Sequence, residues 1–484
     1  MKRALVCVVL AATAFAPAAA AGRVEFGASE DATKYAEDGG ASLFSTMKEA
    51  GLTVDAVSIH WNSASPATIK ERRQLDRLLP VAQKAGVKVV FHVYPGNALV
   101  LARNTGARIA SFSGFLRLVA RTYPEVTDYI VGNEPNQPRF MRPQFGRRGK
   151  QVSAGRYERL LAAGYDALKS ENPSVNVIGV ALSPRGNDNP HAPENISTSP
   201  VRFLKALGDA YRKSGRTRPL MDQLAFHPYP NLNTDAPAKG YAWPNAGVPN
   251  LGRIKQAVWD AFHGTSQPTF AEAGRRARRG LTLVIDELAW QVRIPPALRD
   301  QYFGTENVPL VSESVQARYY AVALSMLRCD PAVTDVFLFR FVDQPDLDRF
   351  QSGLLRIDGS KRPAFDLVKD TIARAAACAS AAAWRHTTRV VGAKVRFLLA
   401  GTPLSAVIRV RAAEATTVTA RLVRVGEGGA VFQRSGPLPP RRTVELLLPR
   451  TGLVPGLYRY VVELRAETNR ARRSVFTSAA VRAT

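Results

Sequence analysis

Two glutamates in this sequence stand where paired carboxyl groups do acid–base work. Glu134 follows an apolar run in Val131-Gly132-Asn133-Glu134-Pro135-Asn136, and Glu287 follows another in Ile285-Asp286-Glu287-Leu288-Ala289-Trp290. Two carboxyls flanking one bond divide the labour: one gives up a proton while its partner attacks or activates a nucleophile. Two more apolar runs end in ring side chains, Phe91-His92-Val93-Tyr94 and Phe226-His227-Pro228-Tyr229. A single strand-end glutamate is usually a solvated cap, whereas two, with His and Tyr between them, form a constellation. The chain has no CxxC, no HExxH and six scattered histidines, so neither a metal nor a cofactor is expected.

Such residues need a scaffold that aims many strand ends at one point. Short β-branched runs alternate with helically spaced apolar residues, the pattern of parallel βα units. Eight strands are expected at Arg23–Ser29, Ala56–Trp61, Val87–Tyr94, Asp128–Gly132, Val175–Leu182, Gln223–His227, Leu281–Glu287 and Val333–Phe341. Helical stripes such as Phe112, Phe115, Leu116 and Val119 follow each strand, the last from Phe365 to Ala376. An open doubly wound sheet would show similar alternation, but it does not need eight units, and no Gly-rich phosphate loop follows strand one. The expected fold is therefore an α/β, (β/α)8 TIM barrel over residues 22–384, with active residues at the C-terminal strand ends. Glu134 and Glu287 then belong to strands four and seven, facing each other across the mouth. Inward-pointing carboxyls there could stand roughly 5–5.5 Å apart, the separation for double displacement with retention.

With strands and residues placed, the chain resembles clan A glycoside hydrolases, the four/seven barrels that include families 39 and 5. The resemblance rests on Asn133-Glu134-Pro135 after strand four, Glu287 closing strand seven, and His227-Pro228-Tyr229 on strand six. It also rests on the late run Gly353-Leu354-Leu355 … Asp358-Gly359 … Lys361-Arg362-Pro363-Ala364, and covers roughly residues 23–375. It implies Glu287 as nucleophile and Glu134 as acid/base. It further implies that Asn133 bonds the sugar 2-hydroxyl, that Tyr229 holds Glu287, and that His227 and His92 line the floor. Many such enzymes carry a Trp at the end of strand eight; here the strand reads Phe337-Leu338-Phe339-Arg340-Phe341-Val342-Asp343. Arg340 there meets an acidic group of the substrate, or pairs with Asp343 or Asp346. Trp61, Trp243 and Trp290 are candidate sugar-stacking faces, with core packing the other reading for Trp61.

The remaining features concern location and partners. Of the 484 residues, 46% are apolar, enough for a sizeable core, and the length allows a barrel plus an appendage. Met1-Lys2-Arg3, an apolar stretch to Phe15 and Ala18–Ala21 read as a cleavable signal peptide over residues 1–21, so the mature protein is expected to be exported, extracellular or periplasmic, without a transmembrane segment. Cys7 leaves with it. Cys329 and Cys378, closing neighbouring helices, can pair as a disulfide in an oxidising compartment or stay free thiols.

From Arg385 the pattern becomes period-two. Six strands are expected at Val391–Leu399, Ala406–Ala412, Thr416–Val425, Thr443–Leu448, Gly456–Arg465 and Arg473–Ala479, forming a small fibronectin-III/Ig-like β-sandwich over residues 385–484. Gly401-Thr402-Pro403, Gly426–Gly429 and Pro437–Pro440 punctuate them. This segment holds 18 Lys and Arg against 5 Asp and Glu, or +13 of the chain's +26. Such a surface attracts cell-envelope polyanions, a bias of composition being the other account. Nucleic acid is not an expected partner, since no recognition motif is present. The expected partner is a carbohydrate, neutral or anionic. The expected function is a secreted retaining β-glycoside hydrolase, with transglycosylation open to the same intermediate. The alternatives are an inactive glycan-binding barrel and a cell-envelope anchoring protein.

Overall fold

The structure is a computed structural model that describes residues 24–103, 105–272, 280–374, 378, 384–399, 405–427, 429–449 and 452–483. The expected signal peptide, Cys7, Arg23 and the Gly401-Thr402-Pro403 break lie outside the described residues.

Eight parallel strands close into a barrel: β1 (Glu25–Ser29), β2 (Val54–Trp61), β3 (Lys88–Pro95), β4 (Asp128–Val131), β5 (Asn176–Leu182), β6 (Gln223–Phe226), β7 (Thr282–Ile285) and β8 (Val333–Phe339). β8 returns to β1, pairing Phe337 with Gly27. Each strand lies where the alternation of patterns places it, with ends shifted by no more than two residues. Most of these strands are buried on both faces; β5 has no exposed position, because the lumen lies on one side and helices on the other. Val54, Ala56, Val90, Ile130, Ile178, Ala225, Val284 and Phe337 fill the lumen, so the barrel is a packed plug below its mouth.

The helices around it are α1 (Ala32–Tyr35), α2 (Ala41–Glu49), α3 (Arg72–Ala85), α4 (Thr105–Thr122), α5 (Ser153–Glu171), α6 (Pro200–Ser214), α7 (Leu251–Phe262), α8 (Glu313–Arg328) and α9 (Pro363–Ala373). Cys329 caps α8 and is disulfide-bonded to Cys378, beyond α9. No helix among the described residues is long and apolar enough to cross a membrane.

Two antiparallel sheets follow. One has the order β13 (Thr443–Pro449), β10 (Ser405–Arg411), β9 (Lys394–Leu398). The other runs β12 (Ala430–Leu438), β11 (Thr416–Arg424), β14 (Gly456–Ala466), β15 (Arg473–Thr477), with β16 (Val481–Ala483) also on β14. Their facing side chains, among them Ile408, Val410, Leu448, Val418, Leu422, Tyr460 and Leu464, form one core, which makes a sandwich. Two of its strands escape sequence reading. β12 is an edge strand exposed from Ala430 to Ser435, so it shows no alternation of apolar and polar positions. β16 is three residues long.

A buried cation joins sandwich to barrel. Arg472 is 1% exposed. Its Nε stands 3.1 Å from Asp260 Oδ1 on α7, and its Nη2 bonds Glu414 of the β10–β11 loop. Thr468 donates to the other oxygen of Asp260 at 2.7 Å. Removing one member of a buried ion cluster strands the others in low dielectric. Arg472→Ala is therefore expected to cost about 3–5 kcal/mol of stability in the full chain, read from urea unfolding. An unchanged midpoint would show that this cluster does not hold the interface.

Candidate active site

The chain turns sharply after β4. Gly132 has φ +87°, and a Cβ there would lie 2.6 Å from the Tyr157 ring, so only glycine fits. Glu134 itself has φ +34°, and its N–H donates to Ala181 O at 2.9 Å. The acceptor comes from a deformed stretch of β5, where Val180 and Ala181 have φ +79° and +45° and the pairing register with β6 jumps. A β-branched residue in the left-handed region is strained and persists only when its surroundings fix it. Tyr157 of α5 does so. Its fully buried hydroxyl donates to Val131 O at 2.7 Å and accepts the Val180 N–H at 2.6 Å, tying β4 to β5 beneath Glu134.

His227, just past β6, is fully buried and gathers three carboxyls. Its Nδ1 stands 3.0 Å from Glu134 Oε1 and 3.5 Å from Glu287 Oε2, and its Nε2 stands 3.0 Å from Asp286 Oδ2. Both glutamate oxygens thus lie within 3.5 Å of one nitrogen, which brings strands four and seven together as the sequence implied. Burial opposes charge on this ring. The charges of Asp286 and Glu287 and the hydrogen bonds to Asp286 and Glu134 outweigh it, holding His227 well above the ordinary histidine range. Both of its nitrogens face carboxyl oxygens, an arrangement that favours the charged, doubly donating ring.

Tyr229 donates to Glu287 Oε2 at 2.7 Å. Burial, then the Glu287 charge, pushes the Tyr229 hydroxyl up, so it stays a donor. Glu287 is pushed up to about 7, first by burial; the charges of Glu134 and Asp286 add to this, while His227 and Tyr229 pull the other way. His92 is pulled down to about 4 by burial. It is neutral, and its Nε2 donates to Gly132 O at 2.9 Å. Asn133 is buried, and its side-chain oxygen has no partner among the described residues.

Glu134, Glu287, Asn133, His92, Tyr229 and Arg340 all line one cavity of about 340 Å³ at the C-terminal strand ends, while His227, expected on its floor, is buried behind Glu134 and does not line it. A second cavity of about 530 Å³ adjoins it, sharing Glu134, Arg139, Tyr229 and Phe350. Glu287 lines only the first. Among the described residues no group of three or more His, Cys, Asp or Glu is disposed to hold a metal ion.

The tryptophans are elsewhere. Trp290 is 1% exposed, donates its indole N–H to Asp235 O at 3.0 Å and packs edge-on against Tyr319 and Tyr320. Trp61 is equally buried and packs edge-on against Phe112. Trp243 is buried under the Arg202 guanidinium. None lines the 340 Å³ cavity, so the stacking role expected of Trp61 and Trp290 is corrected to core packing. The cavity's aromatic surfaces are Tyr94, Phe140, Tyr229, Phe339 and Phe350, with Phe339 and Phe350 edge-to-face at 4.7 Å. Phe339 closes β8, in the stretch where a Trp was missed. Phe350 sits in a loop without periodicity, so no local signal marks it.

Arg340 departs from its expected pairings. Asp343 is taken by buried Arg362 at 2.6 Å, and Asp346 lies beside Arg349. With φ +74°, Arg340 turns toward the end of β1, where its Nη1 stands 3.6 Å from Glu30 Oε1. Glu30 already accepts three backbone N–H groups, from Ala32, Phe341 and Val342. The Arg340 Nε is buried without a hydrogen-bond partner among the described residues. Glu30 and Asp31, absent from the sequence-based candidates, obey the same strand-end rule after β1 and were legible by it.

No family model and no curated protein matches this chain. Solved structures similar to it include a family 39 glycoside hydrolase from the gut symbiont Bacteroides cellulosilyticus WH2, 16% identical over 88% of this chain and 81% of that chain, TM-score 0.47. A GH39 beta-xylosidase from Caulobacter crescentus is 16% identical over 88% and 96%, TM-score 0.46. GH5_18 from Streptomyces cattleya in complex with GlcNAc is 14% identical over 73% and 80%, TM-score 0.47.

The hydrogen bond from Tyr229 favours the ionised form of Glu287, so its loss raises that carboxyl's pKa further. In Tyr229→Phe the Glu287 carboxyl should titrate at higher pH when followed by carboxyl-carbon NMR; an unchanged midpoint would separate Tyr229 from Glu287.

Proposed function

We propose that this chain is a secreted retaining β-glycoside hydrolase that acts through a glycosyl-enzyme intermediate. One observation carries the reading: carboxyls from β4 and β7 converge on His227, one of them buried and held by a tyrosine, the other standing between two cavities. A leaving-group acid must reach both sides of the scissile bond, and Glu134 does. A nucleophile needs only the glycone side, and Glu287 lines only that cavity.

The chemistry follows. The Glu287 carboxylate attacks the anomeric carbon as the glycosidic C–O bond breaks, and Glu134 gives its proton to the leaving oxygen. Ester formation removes the negative charge of Glu287, so Glu134 loses proton affinity when it must act as a base. It then takes a proton from water, whose oxygen displaces Glu287 and restores the carboxylate. The unpartnered oxygen of Asn133 is available to accept from a sugar hydroxyl. His227, fixed by Asp286, keeps the two glutamates together, and the carboxyls around it favour its charged form. The Cys329–Cys378 disulfide supports export to an oxidising compartment.

Glu134→Gln is expected to lower turnover of an unactivated substrate by roughly a hundred- to ten-thousandfold. Glu287→Gln should do so at least as strongly, with fold retained by circular dichroism. Azide should rescue Glu287→Gly and give product of inverted configuration. Wild-type turnover in both Gln variants would refute the assignment.

Arg340 supports an anionic glycone, because this cation lines the cavity and its guanidinium is only partly engaged, Nε having no hydrogen-bond partner among the described residues. A charge-assisted hydrogen bond is worth enough that Arg340→Met should lower kcat/KM on an aryl uronide about ten- to a hundredfold while leaving the neutral glycoside nearly unchanged. Equal losses on both would make Arg340 a purely structural residue. The cationic sandwich supports contact with polyanions of the cell envelope.

A further inference from the structure

Both sheets of the sandwich present outward cations, but on the larger one Glu463 pairs with Arg421, Arg465 and Arg473, whereas most of those on the smaller one have no acid beside them among the described residues. Alternation along β10 buries Ala406, Ile408 and Val410 in the core and leaves Val407, Arg409 and Arg411 on the outer face. Lys394 and Arg396 of β9 share that face, both exposed. The strand register sets Arg396 opposite Arg409 and Lys394 opposite Arg411. Like charges directly opposite each other on neighbouring strands repel. One acid answers them: Glu445 of β13 pairs with Arg409 at 2.6 Å. Among the described residues no ion pair engages Lys394, Arg396 or Arg411.

Cations on an edge strand guard it against pairing with another sheet, and β9 is an edge strand. That duty does not extend to Arg409 and Arg411, which lie on the central strand and face the edge cations. The barrel does not use this face either. It meets the sandwich through Thr468, Arg472 and Glu467 near the β14–β15 turn and through Thr387 of the linker.

Next to the cations, Leu398, Val407 and Leu447 pair side by side across the three strands and form an apolar row. Leu447 is 51% exposed. Guanidinium forks bind carboxylates and similar oxyanions in bidentate fashion, and the apolar row beside them leaves room for the C–H groups of a bound chain. Nucleic-acid surfaces add aromatic platforms for the bases. The aromatic residue of β9, Phe397, packs against the sandwich core instead.

We infer that Lys394, Arg396, Arg409 and Arg411, with the apolar row beside them, bind a linear acidic polysaccharide. The choice of a polysaccharide among polyanions rests on the proposed glycosidase reading; the charged face does not. The full chain is run through gels containing polygalacturonate, dextran sulfate or neutral dextran, and tested against duplex DNA and phosphatidylserine vesicles by co-sedimentation. Retardation by an acidic polysaccharide that weakens with salt, with none by neutral dextran, is expected. The relative strength of the two acidic gels tells whether carboxylate or sulfate is read.

Replacing Lys394, Arg396 and Arg411 together by Gln should weaken retardation about tenfold or more and flatten its salt dependence. Its unfolding midpoint should stay level or rise, because repulsion is relieved. Arg421→Gln with Arg459→Gln, on the other sheet, should retain binding. Wild-type retardation of the triple variant overturns the proposal, as does retention by vesicles or DNA equal to that by the acidic polysaccharides. Hydrolysis of a soluble aryl glycoside reads the barrel separately. A chain that is retarded yet hydrolyses nothing loses the proposed chemistry and keeps this surface.

Discussion

Everything at the barrel mouth depends on one buried ring, His227. Three carboxyls from two strand ends meet it, and its two nitrogens give these buried polar groups the partners that a poorly screening interior demands. Asp286 is the anchor: it is 1% exposed and holds the Nε2 side, leaving Nδ1 to face both glutamates. The arrangement demands that the ends of β4, β6 and β7 stand at one height with inward-facing side chains. A closed eight-stranded barrel with a filled lumen supplies that rigidity.

The mouth is also where the backbone departs from ideal geometry. Gly132, Glu134, Val180, Ala181 and Arg340 all have positive φ within a few residues of the cavity. Strain of this kind costs free energy, offset here by the Tyr157 hydroxyl bridging β4 and β5 and by the packed helices behind it. What the strain achieves is direction. Glu134 is turned over the boundary between two cavities, and Arg340 is turned away from the aspartates that follow it in sequence toward β1.

The same device recurs away from the mouth. Arg362 is buried between Asp343 and Glu313, fixing the loop after β8 to α8. Arg472 is buried between Asp260 and Glu414, fixing the sandwich to α7. In each case a cation shared by two acids joins segments distant in sequence, and geometry rather than net attraction is the gain. The remaining cations of the sandwich behave differently. Those of β9 and β10 stand outward, opposite each other, with one acid among them, which is why that face reads as a surface awaiting an anion.

Sequence alone determined the pieces that depend on local period and order. Eight apolar strand runs alternating with helical stripes imply a barrel, and the barrel puts Glu134 and Glu287 on strands four and seven, because strand-end position follows from counting. Tyr229 and His227 were legible for the same reason. Tertiary structure decided what depends on contacts across the fold. Trp290 and Trp61 look like sugar platforms in sequence, yet their neighbours Tyr320 and Phe112 bury them. Phe350, in an aperiodic loop, supplies a ring that no spacing announced. β12 carries no alternation because neither face of it is covered along most of its length. Arg340 shows the division most plainly: its sequence neighbours offered Asp343 and Asp346, but a left-handed backbone and a competing Arg362 left it facing Glu30 and the cavity. Sequence order specifies which elements exist; only packing decides which way each side chain must look.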